Sequence, residues 1–448
     1  KDRLIVFCED GEWNERKTLM KIYNIADREH PQFVNEVAVD GFYFSSRMIG
    51  DYVYAIAQRS AYLIENEVPL PTIALGDDRV VVPATEIYYS HEIDYAYMFS
   101  TIIAVNVQED YPAVTSKVVL SGYTTTIYVS TENIYLAINN GDKTFLHRIH
   151  VENGEIKYVA DGQVRGSVLN QFSMDEHDGY FRIATTSQIT DLNVTYRLPQ
   201  ESNVYTLNME LEIVGKIENI APGERIYSAR FMGNTCYLVT FRKVDPFFVV
   251  NVADPYNPLI VGELKISGYS DYLHLYDESH VIGVGKETIA AEEGDFSWYQ
   301  GVKISLFDVA DMSNPEQLAK YEIGDRGTDS PILRDHKAFL FDKDKNLMII
   351  PVSVAEINES MYQGEIPPYA YGDFVWQGAY VFTVSLSGEE KIALKGTVTH
   401  IEDGDINDYS RHIMRALYIG DVLYTVSNSM IKMNSLADLS EINAVNLN

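Results

Sequence analysis

The chain has 448 residues, 65 acidic and 35 basic, giving a formal charge of −30. That balance excludes the basic footprint of a nucleic-acid binder and an electrostatic hold on anionic membranes, while admitting cationic partners and divalent ions. Two cysteines, Cys8 and Cys236, make no disulfide framework, and no apolar run approaches the ~18 residues of a membrane helix.

The chain opens at Lys1 already inside a strand pattern, as a processed or trimmed start would. From there, short runs of Val, Ile, Tyr and Phe alternate with turn residues, and almost no window shows a helical period. The pattern predicts an all-β chain built from a repeated unit of four strands, A to D. A first unit starting at B covers 4–7, 19–25 and 33–39. Complete units follow at 43–49, 52–57, 102–107 and 115–120, then at 126–129, 134–138, 145–151 and 156–159. The fourth is 168–174, 180–185, 204–209 and 211–217, and the fifth 226–232, 235–241, 248–252 and 259–266. The sixth is 272–276, 280–284, 302–309 and 318–323, the seventh 337–341, 347–352, 379–384 and 392–398, and the eighth 413–419, 422–426, 430–434 and 442–447.

Two corners recur. Strand A turns into B at Gly50-Asp51, Gly233-Asn234 and Gly420-Asp421, which are hairpin signals. Strand C turns into D where Asp27, Asp254 and Asp311 each precede a proline (Pro31, Pro258, Pro315) by four residues. The carboxylate folds onto N–H groups just ahead, and the proline stops further pairing. Four-stranded units repeated about eight times, or seven, read as a single β-propeller domain over 1–448, with additional N-terminal residues missing.

Long insertions at 59–99, 188–202, 286–300 and 355–377 all fall between B and C. In an up-and-down blade the B–C loops and D–A linkers share one face, so the insertions are expected to gather on one rim and mark a binding face. Three of these windows (59–99, 286–300, 355–377) hold 7, 4 and 4 acidic residues against 2, 1 and 0 basic ones. Tyr88, Tyr89, Tyr95, Trp298, Tyr299, Tyr369 and Trp376 are the aromatic candidates there. They would contact a ligand or simply anchor the loops. Arg47, Arg230 and Arg415 leave one face of strand A, placed for pairing between blades or for meeting an anion in a channel.

Calcium is a candidate at Asp342, Asp344 and at Asp403, Asp405, Asn407, where oxygen ligands alternate; neither has the full calcium loop. The Met174–Gly179 tip reads as a solvated turn. His147 and His150 are three apart in a strand and make no ligand pair. His274, His280, His400 and His412 likewise read as structural. Asn193-Val-Thr195 and Asn358-Glu-Ser360 are glycosylation triplets. No hydrolase elbow, zinc-protease motif or phosphate loop appears.

The phrases Val82-Pro-Ala-Thr-Glu-Ile-Tyr-Tyr89, Leu169-Asn-Gln-Phe-Ser-Met-Asp-Glu176, Ala221-Pro-Gly-Glu-Arg-Ile-Tyr-Ser-Ala-Arg-Phe-Met-Gly233 and Leu417-Tyr-Ile-Gly-Asp-Val-Leu-Tyr424 are long and distinctive. Through them the chain resembles archaeal and bacterial secreted proteins carrying a C-terminal β-propeller distantly related to WD-40 repeats. The resemblance implies an extracellular or cell-surface setting and no named enzymatic activity. The expectation is therefore a binding or scaffold propeller that meets a protein, glycan or envelope polymer. A hydrolase or lyase at the channel mouth, and a structural module of a surface assembly, are the alternatives.

Overall fold

The computed structural model describes residues 2–12, 15–90, 97–188, 200–241, 245–294 and 296–447. Among these the only helical pieces are six one-turn 3-10 segments, and the strands form eight sheets. No helix among them is long and apolar enough to cross a membrane. The chain divides into two compact units, 1–188 with 203–216, and 189–202 with 217–448.

In the first unit, the first sheet orders Arg3–Asp10, Lys17–Asn24, Gln32–Asp40, Thr72–Leu75 and Asp78–Val81. The second orders Phe42–Ile49, Tyr52–Ser60, Met98–Asn106, Val114–Ser121 and Ile87–Tyr89. The third is a plain meander of Thr126–Val129, Asn133–Asn140, Lys143–Glu152 and Glu155–Arg165. Period-two patterning explains how these sheets stack. Val53, Ala55, Ile103 and Val105 pack with Met20 and Val37 of the first sheet. The residues between them, Tyr54, Ile56, Ile102 and Ala104, pack with Ile134, Leu136 and Ile149 of the third. Each central strand is thus buried on both faces, which a solvated sandwich face would not require.

The fourth sheet pairs Tyr180–Gln188 with Ser167–Val168 and Met174–His177, then continues through Gln200–Leu207 and Ile213–Ile220. In the second unit the fifth sheet is Arg225–Met232, Thr235–Phe241, Asp245–Asn251 and Leu259–Ile266; the sixth is Tyr269–Asp277, His280–Ala290, Ser297–Asp308 and Glu316–Ile323. The seventh is Leu340–Asp342, Leu347–Glu356, Asp373–Val384 and Ile392–Val398, and the eighth Arg415–Ile419, Val422–Val426, Met430–Ser435 and Glu441–Asn446.

The corners form as their chemistry demands. Asp27, Asp254 and Asp311 accept from the N–H two residues on, at 3.1, 3.0 and 3.0 Å. A second acceptor sits three residues earlier in each case: Asn24, Asn251 and Asp308 bond the N–H of Ala26, Ala253 and Ala310. Two side-chain turns in series therefore guide the chain round each corner. Gly50, Gly233 and Gly420 adopt φ of +59°, +49° and +60° at two-residue hairpins, where a side chain would be strained.

Three expectations need correction. The insertion 59–99 is not loop alone: its hairpin, 72–81, extends the first sheet beyond Gln32–Asp40, and Ile87–Tyr89 runs parallel to Val114–Ser121 at the edge of the second. The first strand of the seventh sheet is only Leu340–Asp342. Asp335 caps the N–H of Lys337 and winds His336–Ala338 into a 3-10 turn instead. The 174–179 tip is no simple solvated turn. Glu176 Oε2 accepts from Ser130 Oγ (3.0 Å), Asn133 Nδ2 (3.0 Å) and Tyr135 Oη (2.6 Å) of the third sheet, and Asp175 pairs with the buried Arg182.

Candidate functional site

In the second unit, two B–C insertions and one D–A linker meet as the blade geometry requires. Gln300 Nε2 donates to the carbonyl of Pro368 at 2.9 Å, joining insertion 286–300 to insertion 355–377. Between them stands Arg326, in the linker that follows Glu316–Ile323. Its Nη1 donates to the Tyr299 carbonyl (3.0 Å) and its Nη2 to the Tyr371 hydroxyl (3.1 Å). The guanidinium lies 5.1 Å from the Trp298 ring and 4.3 Å from the Tyr371 ring. The planar cation thus bonds through its edge and stacks through its faces, which lysine could not do.

Around this point the rings spread outward. Trp298 meets Phe296 and Tyr369 edge-on at 5.0 and 5.8 Å. Tyr369 and Tyr371 stay 59% and 67% exposed, far more than loop anchors need. Tyr299 lies 5.4 Å from the Tyr269 ring and 3.4 Å from the Tyr227 hydroxyl while staying 41% exposed, and desolvation of its hydroxyl pushes it up to about 12.

Beneath this aromatic surface lies a charged group. Burial raises the half-buried Asp271 carboxyl to about 7, although nearby Lys286 and Arg225 pull it the other way. Lys286 Nζ reaches the Thr328 carbonyl and lies 4.0 Å from Asp329, which also pairs with Arg334. Sequence reasoning missed both Arg326 and Asp271. The Gly324-Asp-Arg-Gly327 linker was the available signal for the first.

The other predicted residues scatter. Trp376 lies along its own strand, 5.3 Å from Tyr380 and against Gly378. Tyr88 is stacked on Tyr158 at 4.2 Å under Lys117, and Tyr89 neighbours Tyr97 at the same edge. Tyr95, Asn193 and Thr195 lie outside the described residues, as do residues 189–199 of the second insertion. Arg47 bonds Ser45 and Ser46 of its own strand. Arg415 pairs with Asp335 of the preceding blade at 3.1 Å, and Arg230 stands beside Tyr272 and His274 of the following one.

At the calcium candidates, Asp403 is clasped by both Arg411 Nη atoms at 3.1 Å and also accepts from Asp405 N, while Asp405 accepts from Asn407 N. Asp342 accepts from Lys345 N and the Tyr418 hydroxyl, with Asp344 exposed beside it. No group of three metal-ligating side chains occurs among the described residues. The histidines are built into the packing: His147 bonds Tyr158 (2.8 Å), His274 bonds Tyr272 (3.0 Å), and His400 bonds Ser427 and Thr425.

The family model for a beta propeller domain matches residues 2–439. The chain belongs to this beta-propeller domain family. Similar chains include an uncharacterised protein of Methanocaldococcus jannaschii, 27% identical over 93% of this chain and 70% of its own length. Another, from Archaeoglobus fulgidus, is 33% identical over 64% of this chain and 37% of its own length. Among solved structures, a Lactobacillus plantarum protein aligns over 80% of this chain and 94% of its own with 9% identity and a TM-score of 0.43. A Desulfotomaculum acetoxidans protein of unknown function aligns over 77% and 92%, with 10% identity and a TM-score of 0.34.

Proposed function

We propose that this propeller is a binding module working outside the cell or at its surface, and that it takes a glycan or glycan-like envelope polymer on the Arg326 aromatic surface. The observation that carries the reading is a ring set of half-buried Trp298 with exposed Tyr369 and Tyr371, in which Arg326 holds Trp298 and Tyr371 and Trp298 meets Tyr369. Rings fixed at several tilts suit the C–H faces of successive sugars, and the acidic residues of the two insertions offer acceptors to hydroxyl groups. The resemblance to secreted proteins supports the location.

Asp271 favours one second reading, a hydrolase, because a carboxyl held near neutrality can serve as a general acid. One experiment separates the two. Retardation of the protein on immobilised neutral and acidic polysaccharides is measured together with release of reducing sugar. The binding reading expects retardation without release, weakened about tenfold in Tyr371→Ala and Arg326→Gln, a loss of the order of one aromatic contact. Sugar release that disappears in Asp271→Asn establishes the hydrolase instead. Retardation unchanged in both surface variants sinks the proposed site.

A further inference from the structure

The first unit holds a cleft of about 350 Å³, at the lower end of the size range of small-molecule sites. Its charge is the reverse of the chain's. Four cations (Arg16, Lys17, Arg59, Arg79) and two carboxylates (Glu15, Asp40) line it, in a protein of net charge −30. Four separate pieces of chain bring them together: the start of Lys17–Asn24, the ends of Gln32–Asp40 and Tyr52–Ser60, and the hairpin strand Asp78–Val81. Arg59 and Arg79 are the two basic residues of the whole 59–99 insertion, and both point into this one recess.

Of the two carboxylates, Asp40 is committed to building the wall, while Glu15 is exposed at the cleft. Asp40 accepts from Arg59 Nη1 (3.2 Å) and from Thr72 N (3.0 Å), and Arg59 also reaches the Pro69 carbonyl and lies 5.6 Å from the Phe99 ring. Arg16 pairs outward with Glu9 at 3.2 Å. Among the described residues no carboxylate lies within ion-pair distance of Lys17 or Arg79, and Arg79 donates only to the Thr72 hydroxyl, at 3.3 Å. Like charges gathered in a concave, partly desolvated site repel one another unless an anion joins them.

We infer that this cleft binds a sugar-sized oxyanion, a carboxylate or phosphoryl group received by Arg79 and Lys17, with the Tyr62 ring alongside. The guanidinium fork matches either oxyanion through paired N–H donors. The inference stands on the first unit alone and is independent of the glycan reading of the second.

Calorimetric titration with glucuronate, glucose 6-phosphate and glucose tests it, and the two acids distinguish carboxylate from phosphoryl. At least one acid sugar is expected to bind with a millimolar or better Kd while glucose does not. Binding should weaken when salt rises from ~25 to ~200 mM, as the screening length shortens. Arg79→Gln should lower affinity about tenfold, Lys17→Gln less, and the pair should abolish it. Both side chains lie at the cleft rather than in the core, and unchanged circular dichroism will confirm folding; the wild-type selectivity stands as a test without any variant. Equal binding of glucose, no binding of either acid, or full affinity in the double variant overturns the inference.

Discussion

Acidification from about pH 6.5 to about pH 4 is expected to destabilise this protein steeply, because three of its histidines are held neutral in the fold. Burial lowers His147, His274 and His400 to about 4. Asp161 opposes that shift at His147, whereas Arg230 and Lys432 reinforce it at His274 and His400. An unfolded imidazole titrates near 6.5, so between the two values the unfolded chain binds more protons. Their contribution is therefore complete above about pH 6.5 and is lost as the pH falls through about 4. For His147 and His400, each almost fully buried, the loss is on the order of 2 to 3 kcal/mol; the half-buried His274 contributes less.

Asp271 acts in the opposite sense. Its folded carboxyl titrates about 7 against roughly 4 unfolded, so its stabilisation is present at low pH and lost as the pH rises through 7. Urea unfolding measured across this range reads both effects. His400→Gln, which keeps a donor and an acceptor for Ser427 and Thr425, should flatten the pH slope by close to one proton. Asp271→Asn should steepen the acid loss and raise stability above neutrality. An unchanged slope in both variants would contradict the assignment.

The second large effect is at Glu176. Removing its carboxylate in Glu176→Ala should cost about 3 kcal/mol, since three donors lose one acceptor together. The Tyr135 hydroxyl suffers most: its ring is fully buried, stacked on Phe181 at 4.2 Å, and its ionisation is pushed far up by burial and by the Glu176 hydrogen bond. Glu176→Gln, which still offers an oxygen, should cost less. Tyr135→Phe should recover part of the loss in the Glu176→Ala background, because the stranded hydroxyl is gone. Strict additivity of the two substitutions in thermal unfolding would show that the bond carries little.

Much of the architecture was legible because it is periodic. Val53 and Tyr54 are neighbours that pack against different sheets, and such alternation is written in the residues themselves. The Asp254 and Asp311 corners were readable for a related reason, since their hydrogen bonds reach only two residues ahead. What escaped depends on contacts distant in the chain. Nothing around Glu176 announces Tyr135, 41 residues earlier, and a cluster of polar residues at a hairpin tip resembles a solvated turn. Trp298, Tyr299 and Tyr369 were picked out by type and insertion, but the residue that holds Trp298 and Tyr299, Arg326, lies in a short linker with no aromatic company of its own. Trp376 and Tyr88 show the converse. Aromatic identity marked them, and packing on Tyr380 and Tyr158 absorbed them.

The most direct test of the proposed binding surface uses its own tryptophan. The chain has three, and the double substitution Trp13→Phe, Trp376→Phe leaves Trp298 as the sole reporter. Titration with a polysaccharide that retards the protein should shift and saturate Trp298 emission, and Arg326→Gln should move that response to about tenfold higher polysaccharide concentration. A polymer that binds at full affinity while Trp298 emission stays unchanged would contradict the assignment of this surface.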